Sequence, residues 1–476
     1  MPVSEEVRRA EAEIDEHIQN LKVWRSDRNL ILRALLDYYR DAIEVVFSIQ
    51  GWARETDQPE AAQGAFALEH QLHSGILQAI KWASTLARKG ARQRAPNAEA
   101  LRKVFDKGTT YEVLVDALKM AQHDLVRIAC DSLERSLTIY EGGNQTGFDN
   151  QLVQHQHNMN PLVLYSRLTQ DEDQLTTRWT AGDYRRTIRK LAEQAHGASE
   201  ETFVSTFHGA EPPLFSRPVV LEVYAPTDSA EDAVLEDMSF PSPSTPPRAL
   251  YSWTSWLDSP LVVVDGRRLA TSNVLIALLN LGEMHMLRLA ARVDPEQYSR
   301  VSQRREDVMV ADCENVLTNA GWTTEPRKKL KNPDAEIDLL ATRGSDKMVL
   351  ELKSLMRPEA PWEVFKRNAD VLKGIKQVAS NVPRVSGTVG VVLTDGYRGD
   401  YVTWKESLQV SVPTGTLDDL TDIAANPTTA MALLKERSGF DSSQPGSDLG
   451  ERTLSLAGWT LRLVDAPPPD GAEQST

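Results

Sequence analysis

The stretch Glu336-Ile-Asp338-Leu-Leu-Ala-Thr-Arg343-Gly-Ser-Asp346-Lys-Met-Val-Leu-Glu351-Leu-Lys353 sets apolar runs on either side of Arg343-Gly-Ser-Asp346. That pattern predicts a β-hairpin with Gly344-Ser345 as a two-residue loop, since such turns match the twist of the flanking strands. Arg343 then faces Asp346, and counting outward sets Leu340 opposite Val349 and Asp338 opposite Glu351. Side chains alternate along a strand, so Asp338, Glu351 and Lys353 share one face. Ile337, Leu339, Leu350 and Leu352 fall on the other, where a helix can cover them.

Two carboxylates directly opposite each other among apolar residues repel and destabilise a sheet. Either one keeps a proton or a cation sits between them. Carboxylate oxygens suit hard divalent cations, and Mg2+ takes one or two of them together with water and substrate phosphate. A lysine beside such an ion can orient or deprotonate a water aimed at phosphorus. These residues point to phosphodiester hydrolysis, with an ordinary exposed hairpin carrying a charged face as the plain alternative.

Asp338, a spacer, and then Glu351-Leu-Lys353 at the end of an apolar strand resembles the PD-(D/E)XK superfamily, the restriction-endonuclease-like nucleases. Glu336-Ile-Asp-Leu-Leu followed by Val349-Leu-Glu-Leu-Lys353 is similar to the family's GEIDLL…VVEVK variants, although Ile337 stands where a proline often precedes the first acid. The resemblance implies Asp338 and Glu351 as ligands of Mg2+, with Mn2+ as a substitute, and Lys353 as the catalytic lysine. It also implies a glutamate from the preceding helix, for which Glu314 is the choice and Glu306 the rival. From the following helix it implies a Gln or Lys, here Gln377 and Lys373.

Composition bounds the rest. A content of 41% hydrophobic and 25% charged residues fits a soluble globular protein, and 476 residues predict two or three domains. The net charge of −15 argues against a protein that coats nucleic acid nonspecifically. Residues 301–400 differ, with 16 Lys and Arg against 15 Asp and Glu, so local phosphate binding is compatible with an acidic whole. Cys130 and Cys313 are the only cysteines, which excludes a disulfide framework and predicts a reducing cytoplasm. The N-terminus is acidic and polar, unlike a signal peptide, and no apolar run predicts a membrane span. No phosphate-cradling Gly-x-x-x-x-Gly-Lys-Ser/Thr loop occurs, so an ATP-driven motor within this chain is not expected.

From the start, apolar residues recur at helical spacing through Ile14, Ile18, Leu32, Leu36, Tyr39 and Ile43. A second helix is predicted over 60–89. A third opens at Thr109-Thr-Tyr-Glu112, which resembles a capping box, and runs to about Tyr140. Residues 1–200 therefore read as a helical domain, an antiparallel bundle. Residues 201–300 read as a mixed connecting region in which the Pro/Ser-rich acidic segment 225–248 is a mobile loop. The nuclease-like domain is expected over 301–435, with a helix from about Pro295 or Ser302 to Asn319, the hairpin, a helix to about Val382, a buried strand Gly387 to Thr394 pairing parallel with the catalytic strand, and a further strand at Val410-Ser-Val412. Residues 436–476 read as a flexible tail interrupted by a strand-like piece, Thr453 to Val464. Arg327, Lys328, Lys329 and Lys331 precede the first catalytic strand and can hold a nucleic-acid backbone, as can Lys373, although a solvated basic run is an equal reading.

The expected fold is multidomain α and α/β: an N-terminal helical bundle and a C-terminal α/β/α restriction-endonuclease-like core with a mixed sheet. The expected function is that of a Mg2+-dependent endonuclease acting on DNA, in restriction or anti-phage defence, with a protein partner or self-association through the helical region. The alternatives are a non-catalytic scaffold that keeps the nuclease fold, and a metal-dependent hydrolase of another phosphorylated substrate.

Overall fold

In the computed structural model of the chain, which describes residues 4–88, 90, 96–122, 126–140, 168–198, 202–204, 214–216, 218–240, 259–330, 336–355, 361–385, 388–395, 397, 410–438 and 452–464, the Ser4 hydroxyl opens the first helix by accepting from the Val7 amide. Helices α1 (Glu5–Gln19), α2 (Arg28–Glu55), α3 (Pro59–Leu86) and α4 (Ala98–Gln122) bury apolar stripes that include Ile14, Leu35, Ile80 and Leu114. Thr109 does not open a helix. It lies inside α4, where its hydroxyl donates to the Phe105 carbonyl, and Asn97 caps the true start by accepting from the Ala100 amide at 2.7 Å. Nor does the helix reach Tyr140. Strands β1 (Arg127–Asp131) and β2 (Ser136–Tyr140) follow as a hairpin, its turn held by Asp131 accepting from the amides of Leu133 and Glu134.

Next come α5 (Ala181–Ala198), β3 (Thr202–Val204), β4 (Leu214–Ser216), β5 (Val220–Glu222), α6 (Ser229–Asp237) and β6 (Ser239–Phe240). Helix α6 corrects the reading of 225–248 as a mobile loop: Asp228 caps it by accepting from the Glu231 amide, and Val234 and Leu235 are fully buried. Acidic composition concealed a helix whose first turn prefers acids. Residues 241–248 lie outside the described residues. Strands β7 (Leu261–Val264) and β8 (Arg267–Thr271) meet at Asp265 and Gly266, both left-handed, as a primed hairpin turn requires.

Helices α7 (Ser272–Val293) and α8 (Pro295–Asn319) are separated by Asp294, which caps α8. Then follow β9 (Thr323–Lys329), β10 (Glu336–Arg343), β11 (Asp346–Lys353), α9 (Pro361–Asn381), β12 (Thr388–Thr394), β13 (Thr414–Thr416), α10 (Leu420–Ala425), α11 (Pro427–Ser438), β14 (Arg452–Leu456) and β15 (Trp459–Val464). The strand predicted at 410–412 falls instead at β13, whose Thr414 and Thr416 are buried.

The chain divides into two compact units, one of Met1–Gly142, Arg178–His285 and Gly450–Thr476, the other of Gly143–Thr177 and Met286–Leu449. This is a different partition from consecutive domains. In the first unit β14 and β15 form a hairpin, and β15 pairs parallel with β2, giving a mixed sheet of order β1-β2-β15-β14. Leu456, Trp459 and Leu461 join the core of the four N-terminal helices. The first unit also holds the mixed sheet β5-β8-β7-β6.

The second unit is built on the mixed sheet β13-β12-β11-β10-β9. Its strands β12 and β11 pair parallel, as a crossover through α9 demands, while β10 pairs antiparallel with both β11 and β9. One face packs Leu339, Leu350 and Leu352 on α8, α10 and α11 through Met309, Cys313, Leu317, Leu420 and Leu434. The other packs Leu340, Val349 and Val392 on α9 through Val371, Ile375 and Val378. Helices therefore cover both faces. Among the described residues no single helix is long and apolar enough to cross a membrane.

Candidate active site

The hairpin forms in the register the turn dictates. Arg343 pairs with Asp346 and Leu340 with Val349, and Gly344 takes the positive φ of 62° at the tip. The last paired residues toward the open end are Leu339 and Leu350, and on the other side of β10 the pairing passes from Ile337↔Lys328 to Leu339↔Pro326. Asp338 is skipped in both ladders. Across from it on β9, Arg327 has a left-handed backbone with φ of 49°, a conformation a side-chain-bearing residue adopts only when its surroundings impose it. Alternation predicts Ile337 on the face of Leu339, yet its side chain packs with Leu340, Val349 and the α9 residues.

The carboxylate of Asp338 takes over a backbone role, its Oδ2 accepting from the Leu352 amide at 2.9 Å. Glu351, at 2% exposure, is buried on β11. Its Oε1 accepts from Lys353 Nζ at 2.7 Å, while its Oε2 is buried with no hydrogen-bond partner among the described residues. A buried carboxylate oxygen without a donor is expensive, and the sheet gives it none. Gly374 of α9 faces these side chains. A Cβ there would lie 3.4 Å from Lys353 Cε and 3.5 Å from Glu351 Cγ.

The electrostatics follow from burial. Loss of water pushes the Glu351 carboxyl up to about 7, with the Asp338 charge adding to the rise and Lys353 opposing it. Burial alone would lower the Lys353 ammonium, but the charge and hydrogen bond of Glu351 together with the charges of Asp338 and Glu306 raise the group. Lys353 is therefore a cation in the resting site and acts as a donor. A free base at this position, the other role open to it from sequence, does not suit a raised ammonium.

Glu306 and Glu314 separate clearly. Glu314 turns to β9, its Oε1 accepting from the Thr324 hydroxyl at 3.1 Å. Glu306 is the residue of α8 that feels the site. Burial raises its carboxyl, with Lys353 opposing and Asp338 reinforcing that shift. Two turns separate them along α8, enough for the helix to slope from the site end of the sheet toward its turn end. Lys373 acts on Glu351 as a nearby positive charge from an exposed position on α9. Gln377, one turn beyond Gly374, keeps its Oε1 buried without a hydrogen-bond partner among the described residues.

The basic run lies on the edge strand β9 rather than in a loop. Arg327 pairs with Asp307 at 2.7 Å and reaches Asp338 Oδ1 at 3.9 Å. Lys328 pairs with Glu325, Lys329 sits opposite Glu336 in the strand register, and Lys331 lies outside the described residues. Arg305 and Asp395 form a buried ion pair that sequence reasoning missed. Arg305 donates to Asp395 Oδ2 at 3.1 Å and to Thr169 Oγ1 at 2.7 Å. Asp395 also accepts from the Ser354 hydroxyl and the Leu355 amide, each at 2.7 Å, so the chain just past Lys353 is pinned to the end of β12. An acid directly after the apolar run Val391-Val-Leu-Thr394 was the available signal.

Among the described residues no group of three or more His, Cys, Asp or Glu side chains converges as a metal-binding cluster. Two carboxylates still suffice for Mg2+, which completes its shell with water and phosphate. The unpartnered Glu351 oxygen and the all-oxygen donor set fit such an ion. The chain matches no protein-family model, no curated protein and no solved structure.

Proposed function

We propose that the second unit is a divalent-metal-dependent phosphodiesterase of the PD-(D/E)XK, restriction-endonuclease-like kind, acting on DNA. The observation that carries this reading is Glu351: a buried carboxylate, set beyond the last pair of the hairpin ladder beside Asp338, with one oxygen on Lys353 and the other without a donor among the described residues. Asp338 and Glu351 would hold Mg2+ or Mn2+, which when bound supplies Lewis-acid polarisation of the phosphate and a more acidic water.

The chain's own residues do the rest. Lys353, a cation beside Glu351, donates from Nζ and would hold a water or a phosphate oxygen next to that carboxylate. Glu306, with a proton affinity raised by burial, is a better proton acceptor than an exposed carboxylate. The Arg305–Asp395 pair fixes the segment after Lys353. Restriction or phage defence is the setting the resemblance suggests.

The test is conversion of supercoiled plasmid to open circle in Mg2+ or Mn2+. Wild type should nick, and folded Asp338→Ala and Lys353→Ala should not. Nicking by Asp338→Ala at the wild-type rate would remove the basis of the reading.

A further inference from the structure

Arg327 brings a cation from outside the hairpin to within 3.9 Å of an Asp338 oxygen. It sits on an edge strand in a left-handed backbone conformation, beside the one residue of β10 that both ladders skip. Its NH2 is held by Asp307 at 2.7 Å while its NH1 lies 3.9 Å from Asp338 Oδ1. Its side chain is 40% exposed, so it can leave without unpacking a core. The same guanidinium contributes to the field at Glu306. Asp338 thus has a counter-ion of its own, supplied by a side chain with room to swing.

We propose that Arg327 is a resident counter-cation of this site: it neutralises Asp338 in the resting protein, yields that carboxylate to an arriving divalent ion, and then takes a phosphate oxygen of the nucleic acid. This rests on the metal-dependent reading above and adds an exchange of cations to it. The guanidinium suits both places, since it presents forked donors that match carboxylate and phosphate alike. Asp307 serves as the tether that keeps it close while it changes partner. Competition between one mobile single charge and a divalent ion costs metal affinity in the free protein. That cost is recovered only when a phosphate is present to receive the arginine.

The experiment measures Mn2+ binding by electron paramagnetic resonance at pH 8, without nucleic acid, for wild type, Arg327→Gln, Arg327→Lys and Asp338→Asn. Removing an exposed competing cation should tighten Mn2+ about two- to fivefold in Arg327→Gln, while Arg327→Lys stays near wild type. A second readout uses a short DNA duplex and fluorescence anisotropy in the uncleaving Lys353→Ala background with Mn2+. There Arg327→Gln should bind more weakly, with a salt slope lower by about one phosphate contact. Unchanged or weaker Mn2+ binding in folded Arg327→Gln, with Asp338→Asn abolishing it, overturns the counter-ion role and leaves the metal site intact. Absence of Mn2+ binding by wild type overturns both.

Discussion

At the residue scale, Glu351 links the stability of the fold to its chemistry. Its carboxyl moves from an ordinary 4.5 to about 7, first through burial and then through Asp338. A proton is therefore kept by the folded chain in a range where the unfolded chain has released it. The stabilisation this group gives is fully present below about 4.5 and is lost as pH rises through about 7. Lys353 is raised from 10.5, so its own contribution is lost only at more alkaline pH and does not interfere. We predict that the urea midpoint of metal-free protein falls between pH 5 and pH 8, and falls less in Asp338→Asn, where the neighbouring negative charge is gone. Equal pH profiles for the two proteins would show that Glu351 does not feel Asp338. Every tenfold drop in the carboxyl's proton affinity on that substitution is worth about 1.4 kcal/mol. The hairpin register that carries Asp338, Glu351 and Lys353 was legible because strand periodicity and a two-residue turn leave it little freedom. Glu306 against Glu314 was not, since helical spacing alone does not say where a helix crosses a sheet.

At the scale of elements, α9 and β12 meet at a glycine. A Cβ at Gly390 would lie 2.3 Å from Val378 Cγ1 of α9 and 2.7 Å from Val382 Cγ2 just past its end, so these valines occupy the space a side chain on the strand would need. Gly390→Ala should cost about 1–3 kcal/mol, read as a lower denaturation midpoint of the full chain. No loss would mean that the helix can retreat from the sheet without penalty. The hairpin β10–β11 and the parallel partner β12 followed from apolar runs bounded by turn residues. The missing pair at Asp338 and the packing of Ile337 with the α9 residues did not, because neither leaves a mark on composition. Thr109 misled for a related reason: a capping-box pattern is local, and Asn97 had already started the helix.

At the scale of the whole molecule, sequence distance proves a poor guide to what packs together. The hairpin at 452–464 completes the sheet begun by β1 and β2, and buries Leu456, Trp459, Leu461 and Leu463. Its Ser/Gly/Pro-rich surroundings read as a tail, and only the alternation from Trp459 to Val464 hinted otherwise. Parallel pairing across more than 300 residues has no local signature. Deleting residues 450–476 should therefore lower the thermal stability of the N-terminal helices, followed by circular dichroism, because four buried apolar side chains lose their sites and their partners are exposed at roughly 1.5–3 kcal/mol each. An unchanged helical melt would show that the hairpin is dispensable to that core.

One measurement bears most directly on the claim that Asp338, Glu351 and Lys353 form a phosphodiester-cleaving centre with Glu306 beside it. Supercoiled plasmid is incubated at pH 8 with Mn2+ and with wild type, Lys353→Ala, Glu306→Gln and Glu314→Gln, each checked for folding. We predict nicking by wild type and Glu314→Gln, none by Lys353→Ala, and about a hundredfold or greater slowing by Glu306→Gln, the range for loss of a general acid–base group. Nicking by Lys353→Ala at the wild-type rate, or a plasmid left intact by all four proteins, would contradict the claim.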